Sequence, residues 1–86
     1  MNNTESALRE KLHNEFEKCV KEALEEHKTG QSIFDDLIIK AAVGSFYQGM
    51  KEQQGFALMC DMIGINYEGM LDEECNKVLD KYLTIR

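Results

Sequence analysis

The sequence predicts an all-α domain of four helices, and three observations carry that prediction. Apolar residues recur every three or four positions along most of the chain, the spacing that gathers them on one face of a helix. No segment alternates apolar and polar residues as a half-buried strand would. Proline is absent from the 86 residues, and the glycines fall at spread positions, several of them where helices are expected to end. At this length the chain forms a single domain, residues 1–86.

The first helix is expected over residues 4–28. Leu8, Leu12, Phe16, Val20 and Leu24 recur every four residues, and Cys19 and Ala23 widen the stripe. The opposite face places Glu5 with Arg9, Lys11 with Glu15, and Lys21 with both Glu17 and Glu25 at i,i+4, each pair contributing about 0.2–0.5 kcal/mol. Gly30 suits the position after the last turn. A second helix is expected over 33–53, with Ser32 as its cap and Asp35 completing a capping box. Its apolar residues, Ile33, Phe34, Leu37, Ile38, Ile39, Ala42, Val43, Phe46, Tyr47 and Met50, run nearly around the rod, which reads as the central helix of the domain. Ala41, Ser45 and Gly49 add a ridge of small residues, and the interior Gly44 and Gly49 imply a packing demand. Gly55 is read as the break before a short helix over 56–63. Gly64, Ile65 and Asn66 form a turn, and the last helix is expected over 67–84, capped by Asn66 or, after an interruption at Gly69, by Asp72.

Two near-motifs carry no chemistry. The run from Gly44 to Lys51 resembles a phosphate-binding loop with its lysine one place late and no strand before it. Residues 65–68 resemble the end of a calcium loop without its upstream oxygen ligands. His13 and Glu17 share a helix face, but two histidines and three scattered cysteines give no zinc-like spacing, so no metal and no cofactor are expected. The adjacent carboxylates Asp35 with Asp36 and Glu73 with Glu74 suit helix starts, and no nucleophile has a base beside it, so no catalytic residue is assigned and the protein is read as not an enzyme. Cys19, Cys60 and Cys75 form an odd set without a CxxC pair. With no signal segment visible, they read as reduced thiols of a cytoplasmic protein. No stretch is apolar enough to span a membrane.

Charge singles out one part of the chain. Between Lys51 and Lys77 there is no lysine or arginine but six acids: Glu52, Asp61, Glu68, Asp72, Glu73 and Glu74. The rest of the chain balances, so this interval carries the whole net charge of −6. The same interval has helix-turn-helix spacing, with small Cys60, then Gly64, apolar Ile65, and Met70 five further on. Such a corner would repel a DNA duplex, because affinity for DNA comes largely from cations neutralising phosphates. No direct nucleic-acid binding is therefore expected.

Residues 55–69, GFALMCDMIGINYEG, resemble a segment of the anti-sigma factor family of T-even bacteriophages, small acidic all-helical proteins. The matching positions are Phe56, Ile63, Gly64, Glu68 and Gly69, with Ile65 and Asn66 close substitutions. The resemblance implies a phage protein that binds the sigma subunit of host RNA polymerase and redirects transcription in the host cytoplasm. It assigns no binding residue.

The function these readings lead to is a small non-enzymatic regulator that engages a basic protein partner through an acidic surface formed by Tyr67, Glu68, Met70, Asp72, Glu73 and Glu74. The acidic side chains steer encounter, and Met59, Met62 and Met70 can adapt to the partner's apolar surface, although at least two of the three are expected to fill the core. Two alternatives stand beside it. One is a helix-turn-helix regulator that contacts DNA as a dimer or within a complex. The other is a structural assembly protein that self-associates, as a homodimer or a larger assembly, on the ridge of Ala41, Ser45 and Gly49.

Overall fold

In the computed structural model, which describes residues 3–83, four helices follow one another in the expected order. They are α1 (Asn3–His27), α2 (Ser32–Lys51), α3 (Gln54–Met62) and α4 (Tyr67–Tyr82). Among the described residues there is no strand. The expected end of the last helix, at residue 84, lies outside them.

The every-fourth-residue stripe of α1 is the reason the domain closes. Leu12, Phe16 and Val20 are buried, and Leu8 and Leu24 flank them half-buried. Phe16 meets Phe46 of α2 edge to face, with ring centroids 4.7 Å apart. Ile39 and Val43 of α2 and Met70, Leu71 and Val78 of α4 complete the core. A four-residue connection turns the chain back, so α2 runs antiparallel to α1. By contrast, α4 runs parallel to α1: Arg9 stands opposite Glu73 and Glu17 opposite Lys81, the same offset of 64 residues at both places. The three long helices pack against one another, and α3 packs chiefly against α4, in a molecule 44 Å long and 23 by 19 Å across.

The connections depart from the sequence reading at two points. Ser32 is the first helical residue of α2 rather than its cap, and Gln31 holds the cap position without a side-chain bond. Asp35 is engaged elsewhere. Its Oδ1 accepts from the Thr29 backbone N–H at 2.8 Å and from the Thr29 hydroxyl at 3.0 Å, which ties the incoming loop to the first turn. Those bonds, the backbone one foremost, hold the Asp35 carboxyl below its ordinary range. The second departure is Gly55, which lies inside the first turn of α3. The chain breaks earlier, at Glu52 and Gln53, where Gln53 N–H bonds back to the Met50 carbonyl at 3.1 Å.

The corner between α3 and α4 forms as its residues require. Gly64 takes φ +81°, and the bonds Gly64 N–H to Asp61 O (3.1 Å) and Ile65 N–H to Cys60 O (2.8 Å) close a Schellman motif. Cys60 and Ile65, the residues that motif brings together, are both buried. Asn66 then caps α4, its Oδ1 accepting from Gly69 N–H at 3.1 Å. Gly69 does not interrupt the helix, and Asp72 does not cap it. A Cβ at position 69 would stand 2.7 Å from the Asn66 side-chain amide, so glycine there is what lets the cap close.

The expectation that α2 is central is overturned. It buries Asp36, Ile39 and Val43, while Ile33, Phe34 and Leu37 lie more than half exposed. A chain of this length has only two long helices to lay against α2, and they cover one side of it.

Candidate protein-interaction site

The six residues singled out from the sequence do not form one surface. Tyr67 and Met70 are buried, at 6% and 1% exposure. Tyr67 is a core residue with a polar tip: its ring packs on Phe56 at 5.3 Å and its hydroxyl donates to the Met50 carbonyl at 2.8 Å, joining α4 to the end of α2. Glu74, expected on the solvent side, is also buried, at 3% exposure. The helical period explains this, since Glu74 lies between Leu71 and Val78 on the inward face of α4. Glu68, Asp72 and Glu73 are exposed, and each has a partner within the chain. Glu68 lies 3.6 Å from Lys51, Glu73 accepts from Arg9 at 2.7 Å, and Asp72 accepts from the Tyr47 hydroxyl. That last bond is the chief cause that pushes the Tyr47 phenol up to about 12. The acidic run therefore serves largely to fasten α4 to its neighbours.

Glu74 anchors a polar seam along the contact of α1 and α4. It accepts from Arg9 Nη1 at 3.2 Å and from Lys77 Nζ at 3.1 Å, and His13 Nδ1 lies 3.3 Å from its other oxygen. The far nitrogen of His13 is 2.7 Å from Glu17. Glu17 in turn accepts from Lys81 at 2.9 Å and from the Tyr82 hydroxyl at 3.0 Å. Lys81 foremost, then Tyr82 and His13, hold the Glu17 carboxyl down at about 2, against the opposing effect of burial. No buried side-chain polar atom among the described residues lacks a partner. A buried charge satisfied on every side is a structural element, and removing one member leaves the others exposed to the full cost of burial. The shared helix face of His13 and Glu17, noted in the sequence, is part of this seam. Among the described residues no three histidine, cysteine or acidic side chains are arranged to hold a metal.

The exposed apolar residues were not legible as a site. On α3, Leu58, Met59 and Met62 are 62%, 63% and 78% exposed, and Ile63 just beyond the helix is half exposed. Of the three methionines read as adaptable, only Met70 fills the core. A signal for this was present in the sequence. Phe56, Ala57, Leu58, Met59, Cys60, Met62 and Ile63 are apolar on all sides of a helix of nine residues, and one neighbouring helix cannot cover all of them. The α3 patch lies wholly within the interval that has no lysine or arginine, and Asp61 stands on the same helix.

Cys19, Cys60 and Cys75 are free thiols, each raised in pKa foremost by burial, which makes them weak nucleophiles. No helix among the described residues is long and apolar enough to cross a membrane. No protein-family model, no curated protein and no solved structure matches this chain.

Proposed function

We propose that this chain is a small non-enzymatic binding protein of the cytoplasm that captures an amphipathic, basic segment of a partner protein on α3. The observation that carries the reading is the cluster of Leu58, Met59, Met62 and Ile63, four large apolar side chains exposed on an interval that carries acids and no bases. Exposed apolar clusters of this kind mark interaction sites, and methionine suits partners whose shape must be accommodated. The chain's net charge of −6 favours encounter with a positively charged segment. The resemblance of residues 55–69 to the phage anti-sigma factor family covers this same patch and makes a sigma subunit of bacterial RNA polymerase the first partner to try.

The helix-turn-helix alternative finds a suitable corner in the Gly64 turn. Its reading helix would be α4, however, whose first two exposed turns offer Glu68, Asp72 and Glu73 to the phosphates. Protein capture is the reading better supported by these charges.

The test uses the methionine methyl groups as reporters. Adding a synthetic amphipathic peptide rich in lysine and arginine, or a purified sigma subunit, should shift the NMR signals of Met59 and Met62 and leave buried Met70 nearly unmoved. Replacing Met59 and Met62 by Gln should abolish binding while the helical signal stays intact. Equal binding of an acidic peptide, or shifts spread evenly over the core, would overturn the reading.

A further inference from the structure

The outward face of α2 has a pattern that the single chain does not explain. At about 100° per residue, Ile33, Phe34, Leu37, Ile38, Ala41, Gly44, Ser45, Gln48 and Gly49 fall within an arc of about 160°. From Ile33 to Gly49 that arc holds no charged residue in a chain that is 30% charged; Lys51, the last residue of α2 and paired with Glu68, returns to its edge. Ile33, Phe34 and Leu37 on it are 63%, 51% and 56% exposed. Gly44 lies mid-helix, where glycine is the poorest residue after proline, and Gly49 in the last turn, and a Cβ at either would meet nothing within 4 Å. Packing within the chain therefore requires neither glycine.

We infer that two copies of this chain associate through their α2 helices, antiparallel about a two-fold axis at Ala41. The order of side-chain sizes along the arc points to this arrangement. Its large residues all precede Ala41 and its small or slender ones follow. A two-fold axis at Ala41 sets each residue against the one equally far on the other side: Leu37 against Ser45, Ile38 against Gly44, Phe34 against Gln48, and Ile33 against Gly49. Three of the four large side chains then meet glycine or serine in the other copy, Phe34 meets the slender Gln48, and no large apolar residue meets another. Symmetric pairing requires a face that complements itself in this way. The glycines acquire a role, because they let the two backbones approach where Ile38 and Ile33 must be received.

Charge selects the same occupant. Two copies each carrying −6 repel one another over most of their surfaces, and the arc is where that repulsion has no local source. A basic partner would find nothing on this face to pair with. The size of the contact sets its strength. From Ile33 to Gly49 the strip is about 24 Å long and about 10 Å wide. Two such strips with their side-chain relief bury roughly 1,000 Å², at or just under the lower edge of stable interfaces. The dimer is therefore a reversible one that forms with rising concentration.

Sedimentation equilibrium of the intact chain between about 5 and 500 μM should show a mass rising from one to two copies. Ala41→Glu, on an exposed position, should keep the helical signal and weaken association at least tenfold. Gly44→Ala should raise the melting midpoint of dilute monomer, since alanine is the better helix former, and yet weaken the dimer. Register is read by cross-linking under mild oxidation, with the native chain as control for its own thiols. Leu37→Cys mixed with Ser45→Cys should join, and Ser45→Cys alone should not. A single-copy mass at every concentration, or a dimer untouched by Ala41→Glu, would overturn the inference. Efficient self-joining of Ser45→Cys would overturn the antiparallel register.

Discussion

Glu17 shows how one side chain ties stability to pH. Its folded-state pKa is about 2 against an ordinary 4.5, so the folded protein favours the ionised form more than the unfolded chain does. The resulting stabilisation is complete above about pH 5 and is lost as pH falls through 4.5 towards 2. Glu17→Gln should melt earlier than the parent at neutral pH, and the gap should close by about pH 2–3; a gap independent of pH would show that Lys81 and Tyr82 do not hold this carboxylate. Glu73 and Glu74 are neighbours with opposite prospects. Glu73→Lys exchanges an exposed pair with Arg9 for a repulsion and should cost about 1 kcal/mol or less. Glu74→Lys places a cation in a buried site already facing Arg9 and Lys77, and should cost about 3–5 kcal/mol in chemical denaturation. Equal losses for the two would contradict the burial of Glu74. At Gly64 the left-handed backbone excludes a β-branched side chain, and Gly64→Val should cost roughly 1–3 kcal/mol in the same assay.

The helices differ in how well the sequence announced them, and the reason is what each one touches. For α1 the apolar stripe and the buried residues agree, because a single face meets the core, although the helix ends at His27, before the glycine read as its stop. The Gly64 turn and the Asn66 cap were equally legible, since both depend on bonds made within a few residues. Ser32 and Gly55 were misread because their roles depend on neighbours: Thr29 captured the carboxylate that a capping box needs, and α2 ended at Glu52 and Gln53 before the glycine arrived. For α2 and α3 periodicity reported apolar residues on every side, which fits a buried rod and an unfinished one equally well. Which of the two applies is decided by how many other helices are present to cover them. Three of the six residues read as one surface over 67–74 were misplaced for a related reason. A run of acids suggests a solvated face, but the helical period turned Tyr67, Met70 and Glu74 inward.

Across the whole molecule cohesion is uneven. The three long helices share one core, whereas α3 contributes Cys60 to it as its one fully buried residue and leans chiefly on α4. Amide hydrogen exchange should therefore find the central turns of α1, α2 and α4 opening together, near the global unfolding free energy, and α3 opening at lower cost. Protection of α3 equal to that of α1 would mean that it is part of the same cooperative unit, and a partner that docks on α3 should bring its exchange closer to that of the rest. The parallel pairing of α1 and α4 has a consequence of its own. Its two outer contacts are written with opposite signs: α1 offers a cation and then, two turns on, an anion, while α4 offers an anion and then a cation. If either helix slid by those two turns, Arg9 would face Lys81 or Glu17 would face Glu73, like charge against like. The hydrophobic stripes repeat every turn and do not by themselves register such a slip, so the pair of contacts works as a two-character code that a two-turn misalignment misreads.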